Sequence, residues 1–112
     1  MSQIATHILD TAQGKPAKGV EVNLLKLVND QWLPIGSGVT NSDGRIADLL
    51  EPDILVEYGR YRLDFLLERY FFDQNLPCLY PEINVVFMVS DQTHYHIPLL
   101  LSPFGYSTYR GS

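Results

Sequence analysis

Three histidines, one arginine in a turn and a short polar tail are the residues of this chain whose types and spacing could do chemistry. His94 and His96 stand two apart, so on a strand their imidazoles share one face. Tyr95, Ile97, Leu99 and Leu101 take the opposite face and read as core. His7 behaves in the same way, with Ile4, Thr6 and Ile8 pointing one way and Ala5, His7 and Leu9 the other. Neutral imidazole has the ordinary pKa best suited to a general base near neutral pH. A His-x-His pair with a third histidine is also a zinc-ligand pattern, and solvated surface histidines satisfy the same spacing. No carboxylate or cysteine pattern completes a zinc site, so no metal and no cofactor are expected.

Arg45 follows Ser42-Asp43-Gly44, and an Asp-Gly pair favours a tight reversal because glycine accepts positive φ. One reading is a hairpin turn with a solvated arginine. The other is a planar guanidinium held at a strand start, where it engages a polarised carbonyl or an anion. Cys78 sits among Leu76, Pro77, Leu79 and Tyr80, a setting for a buried structural thiol rather than a nucleophile. The tail from Ser102 to Ser112 keeps strand-like alternation to its last residue, whereas chain ends are normally frayed. Ser107, Tyr109 and Gly111 fall on one face, and Tyr106, Thr108 and Arg110 on the other. Such a tail fits a site, an interface or a plain edge strand.

The elements that must position these residues are mostly strands. β-Branched or alternating runs cover Ile4–Asp10, Val20–Val28, Trp32–Ile35, Gly38–Thr40, Arg60–Phe65, Ile83–Val89 and Thr93–Leu101, and a last strand starts near Gly105. Turn clusters separate them. One short helix is expected over about Leu67–Gln74, ending before Pro77. Pro98 is awkward in a central strand because it removes a ladder donor, so an irregularity is expected there. About seven to eight short strands at this spacing predict an all-β, two-sheet antiparallel β-sandwich with one short helix. No linker or repeat divides residues 1–112, which read as one domain.

Composition narrows the partners. The chain has 112 residues, 46% of them hydrophobic and 12% aromatic, with eight Lys+Arg against thirteen Asp+Glu for a net charge of −5. That apolar content excludes a disordered chain. The acidic balance supplies no basic stripe for nucleic acid. No apolar run approaches the roughly 20 residues of a membrane span. One cysteine makes no internal disulfide, and the first residues show no secretion pattern, so the expected location is the cytoplasm.

Thr6-His7-Ile8-Leu9-Asp10, Asp43-Gly44-Arg45, His94 through Pro103 and the terminal Tyr109-Arg110-Gly111-Ser112 together resemble the transthyretin-like proteins. The likeness runs from Ile4 to Ser112, and the terminal Tyr-Arg-Gly-Ser places it with the hydrolases of purine catabolism rather than the hormone carriers. It implies a sandwich of two four-stranded sheets assembled as a homotetramer, a dimer of dimers, with active sites where dimers meet. It implies a small purine-derived substrate, 5-hydroxyisourate, opened by hydrolysis of a ring amide. By the same resemblance His7, Arg45 and His96 are catalytic, and His7, Arg45, Tyr109, Arg110, Gly111 and Ser112 bind substrate. His94 is expected at the rim. The rival reading is a carrier that binds a small aromatic ligand in a tetramer channel.

Overall fold

The computed structural model describes residues 2–112. Its elements in chain order are β1 (Ile4–Asp10), β2 (Lys15–Pro16), β3 (Glu21–Val28), β4 (Gln31–Val39), β5 (Arg45–Ile46), β6 (Gly59–Leu66), α1 (Glu68–Phe72), β7 (Glu82–Val89), β8 (Tyr95–Ser102) and β9 (Gly105–Thr108). One sheet has the order β4-β3-β6-β7. The other has the order β2-β1-β8-β9, with β5 also paired to β1. Alternate residues of both sheets meet in the core: Ile4 and Ile8 of β1, Val22 and Leu24 of β3, Tyr61, Leu63 and Phe65 of β6, and Leu99 and Leu101 of β8 are all buried. Sandwich packing of this kind needs period-2 alternation on each inner face, which is the pattern the sequence carries.

The expected all-antiparallel pairing fails at one place. β1 and β8 run parallel, from Ile4 beside Tyr95 to Asp10 beside Leu101. Parallel neighbours need a long connection, and here the whole second sheet lies between them in sequence. Two other expectations shift. Trp32–Ile35 and Gly38–Thr40 are one strand, β4, with Ile35 bulged out between the pairs Leu24–Gly36 and Leu25–Pro34. Pro34 is tolerated because β4 is an edge strand and its missing donor breaks no central ladder. The helix is shorter than the pattern suggested, because Asn75 turns left-handed at φ 55° and the Gln74 N–H donates to the Phe71 carbonyl at 3.1 Å, tightening the last turn.

α1 is tied to the end of β1 through Asp10, which is buried. Its carboxylate accepts from the Tyr70 hydroxyl at 2.7 Å, from Gln13 Nε2 at 2.7 Å and from the backbone N–H groups of Ala12 and Gln13 at 3.1 Å each. Burial, then this bond, pushes the Tyr70 hydroxyl up to about 12.

Candidate active site

β1 presents His7 on the outer face of its sheet, and three neighbours bring the other groups to it. β8 lies beside it and carries His96 two residues before Pro98, the residue paired with His7. The His7 and His96 ring centroids are 6.4 Å apart. β5 pairs on the other side, with Arg45 directly across from His7.

The turn that delivers Arg45 is built by its own residues. Asn41 Oδ1 accepts from the N–H groups of Asp43 at 2.9 Å and Arg45 at 3.0 Å, and the Gly44 N–H donates to the Asn41 carbonyl at 2.9 Å. Gly44 has φ +73°, and a Cβ there would stand 2.4 Å from the Ile8 carbonyl. Only glycine lets the turn come close enough for the Ile8 N–H to reach the Gly44 carbonyl at 2.8 Å. The hairpin reading therefore gives way to a different device. It is a turn that crosses between the sheets and sets an exposed arginine beside β1.

The tail supplies the remaining wall. β9 stops at Thr108, paired with Leu99, and pairing resumes where Gly111 bridges His96 in the same register. The gap falls opposite Pro98, which has no N–H to offer, and this is the irregularity the sequence led us to expect. The Gly111 N–H donates to the His96 carbonyl at 2.8 Å. A Cβ on Gly111 would lie 2.2 Å from His96 Cδ2, so the tail reaches the imidazole because residue 111 has no side chain.

Arg45, His94, His96 and Ser112, with Thr6 and Ala47, line an open hollow of about 270 Å³. His94 is exposed and lines the hollow at its border, its ring 6.4 Å from that of His96 and inclined by 12°. Ser112 shares the hollow, yet its hydroxyl makes no hydrogen bond to either imidazole. His7, Tyr109 and Gly111 do not line this hollow, and Tyr109 borders a different one near Val86 and Met88. The Arg110 guanidinium does not join the group. It lies 4.3 Å over the Tyr95 ring and donates to Thr93 Oγ1 and the His94 carbonyl. Nothing in the spacing of the sequence signals that contact.

Electrostatics favour neutral imidazoles. Partial burial, then the Arg45 guanidinium, holds His7 below the ordinary histidine range, and the Asp43 backbone and charge oppose this more weakly. Burial, Arg45, His7 and His94, in that order, hold His96 down as well. Cys78 is half-buried outside the hollow, and burial and Glu68 push its thiol up, the reverse of an activated nucleophile. Among the described residues, no three His, Cys, Asp or Glu side chains gather in a way that would hold a metal ion. No helix among them is long and apolar enough to cross a membrane.

A two-sheet sandwich with a His–Arg–His group on the outer face of its β1–β8 sheet defines a transthyretin-type fold with an ionisable site. The HIUase/Transthyretin family matches residues 4–111, and the chain belongs to that family. It is 46% identical over 112 residues to a probable 5-hydroxyisourate hydrolase of Caenorhabditis elegans, covering 99% of this chain and 82% of the relative. It is 43% identical over 114 residues to the 5-hydroxyisourate hydrolase of Mus musculus, covering 99% and 96%. Among solved structures, sea bream transthyretin in complex with thyroxine superposes with a TM-score of 0.90 at 31% identity, covering 98% of this chain and 95% of that one. Klebsiella pneumoniae 5-hydroxyisourate hydrolase superposes with a TM-score of 0.83 at 36% identity, covering 97% and 98%.

Proposed function

We propose that this chain hydrolyses 5-hydroxyisourate to 2-oxo-4-hydroxy-4-carboxy-5-ureidoimidazoline in purine breakdown. The observation that carries the reading is the meeting of His7, Arg45 and His96 on three neighbouring strands. Relatives named for this hydrolysis, at 43–46% identity over nearly the whole chain, support it.

Water is the nucleophile in this reading, since Cys78 is remote and Ser112 is unpaired with a base. One imidazole, His7 or His96, takes a proton from water as the new C–O bond forms at the ring amide carbonyl. Arg45 holds the substrate and stabilises the oxyanion that develops there. As the C–N bond breaks, the imidazolium so formed returns that proton to the leaving ring nitrogen, while the second imidazole orients the attacking water. Ser112 closes the pocket, and Gly111 holds the tail against His96. A single copy leaves the hollow open, and the outer face beside it carries Leu9, Pro98 and Leu100. We place a second copy over that face, in a homotetramer built as a dimer of dimers, with one domain per chain working in the cytoplasm.

The carrier reading draws on the thyroxine-bound neighbour. Arg45, His94 and His96 in the hollow argue against it, because sites for apolar ligands are lined mainly by apolar and aromatic groups. The deciding experiment follows the absorbance of freshly generated 5-hydroxyisourate with and without the protein, beside a binding assay with an aromatic ligand. Accelerated loss of the substrate is expected. Decay at the spontaneous rate together with saturable ligand binding would sink the hydrolase reading.

A further inference from the structure

Arg110 stands in the middle of the tail, yet its guanidinium points away from His7, Arg45 and His96. What it meets instead is the turn between β7 and β8. That turn is tied internally: Asp91 Oδ1 accepts from the Thr93 N–H at 3.1 Å, the Thr93 hydroxyl at 2.5 Å and the Tyr95 hydroxyl at 3.0 Å. The Ser90 N–H donates to the Tyr95 hydroxyl at 3.0 Å. Onto this fixed block Arg110 lays its guanidinium, 4.3 Å over the Tyr95 ring. Nη2 donates to Thr93 Oγ1 at 3.0 Å and to the His94 carbonyl at 3.3 Å.

We infer that Arg110 is a positioning residue, a clasp that fastens residues 109–112 to the β7–β8 turn and so holds Gly111 and Ser112 beside His96. The ladder itself cannot do this. Between Thr108 and Gly111 the tail faces Pro98, which donates nothing. The one backbone bond beyond the gap, from the Gly111 N–H to the His96 carbonyl, does not offset the entropy of ordering the segment. Arg110 adds a cation over an aromatic face and two hydrogen bonds with a charged donor. The same bond to the His94 carbonyl fixes the backbone that presents His94 to the hollow. One side chain thereby sets two walls of the site without touching its contents.

The effect on turnover rests on the hydrolase reading above, whereas the effect on the tail does not. The test measures amide hydrogen exchange at Gly111 in the intact protein, together with kcat and KM on 5-hydroxyisourate. Arg110→Gln is expected to speed Gly111 exchange and to lower kcat/KM, each by about tenfold, with the thermal midpoint little changed. Arg110→Lys keeps a cation over Tyr95 and recovers part of both. Thr93→Val loosens the tail in the same direction and adds less on top of Arg110→Gln than it does alone, because both remove one contact. Unchanged Gly111 exchange in Arg110→Gln, whatever its rate, overturns the clasp. So do losses from Arg110→Gln and Thr93→Val that multiply in full. A wild-type protein that leaves 5-hydroxyisourate untouched, while Gly111 exchange still responds to Arg110→Gln, defeats the hydrolase reading and upholds the clasp.

Discussion

His7 and His96 face each other from two parallel strands, ring centroids 6.4 Å apart and planes inclined by 30°. Each is pushed toward its neutral form by burial and by the same arginine. Two neutral imidazoles beside one fixed cation can take a proton from water and return one to a leaving nitrogen without an inhibitory extra charge. Four consequences can be measured.

The first is a pH profile. Because both histidines lie below the ordinary value of 6.5, kcat/KM is expected to hold down to that pH and to fall only below it. Arg45→Gln removes a cation that disfavours protonation, so its acidic limb should move upward. The same shifts affect stability. The folded protein binds fewer protons than the unfolded chain, so the histidine contribution is present above about pH 6.5 and is lost as pH falls through the lowered folded values. Urea unfolding across this range should show that slope, flattened in His7→Asn. A limb that stays put in Arg45→Gln would contradict the electrostatic account.

The second concerns which imidazole is the base. His7→Asn and His96→Asn should each lower kcat by about 10²–10⁴. The variant that also loses the acidic limb identifies the general base. Wild-type rates in both would refute histidine-assisted attack.

Gly111→Ala tests the close approach of the tail. Its Cβ would stand 2.2 Å from His96 Cδ2, so either the tail lifts or the ring turns. A loss of about tenfold or more in kcat/KM is expected, with a thermal midpoint near that of the wild type. Full activity in this variant would show that the contact does not serve the site.

Tyr70→Phe separates stability from chemistry. It strips one 2.7 Å donor from the buried Asp10 carboxylate, and a hydrogen bond to a charged group contributes about 1.5–3 kcal/mol. Denaturant unfolding should register a loss of that order. The rate per folded molecule should stay the same, since Tyr70 lies outside the hollow. A slowed rate without destabilisation would reverse this assignment.

Much of the sandwich was legible because burial imposes period-2 alternation on Ile4–Asp10, Tyr61–Phe65 and Tyr95–Leu101 alike. The faces of His7 and His96 followed from that alternation. What local pattern does not encode is which strands become neighbours, so the parallel β1–β8 pair and the crossing of Arg45 to β1 were invisible. Pro98 announced an irregularity, yet its effect appears on the partner strand, as a gap between Thr108 and Gly111. Ile35 hides in the sequence as a break between two strands, because a bulge interrupts alternation without ending a strand. The contact of Arg110 with Tyr95 depends on how the tail lies over a distant turn, and residue spacing holds no trace of it.

The parallel pairing of β1 with β8 also governs when the site can exist. His7 precedes His96 by 89 residues, and the strands that carry them pair across a connection that contains the whole of the other sheet. Closing so long a loop is slow relative to forming local contacts. A nascent chain still lacking β8 can complete the β4-β3-β6-β7 sheet but has no His7–His96 pair. Capacity for hydrolysis should thus arrive late in refolding, after most of the secondary structure has formed, as one of the last properties the molecule acquires.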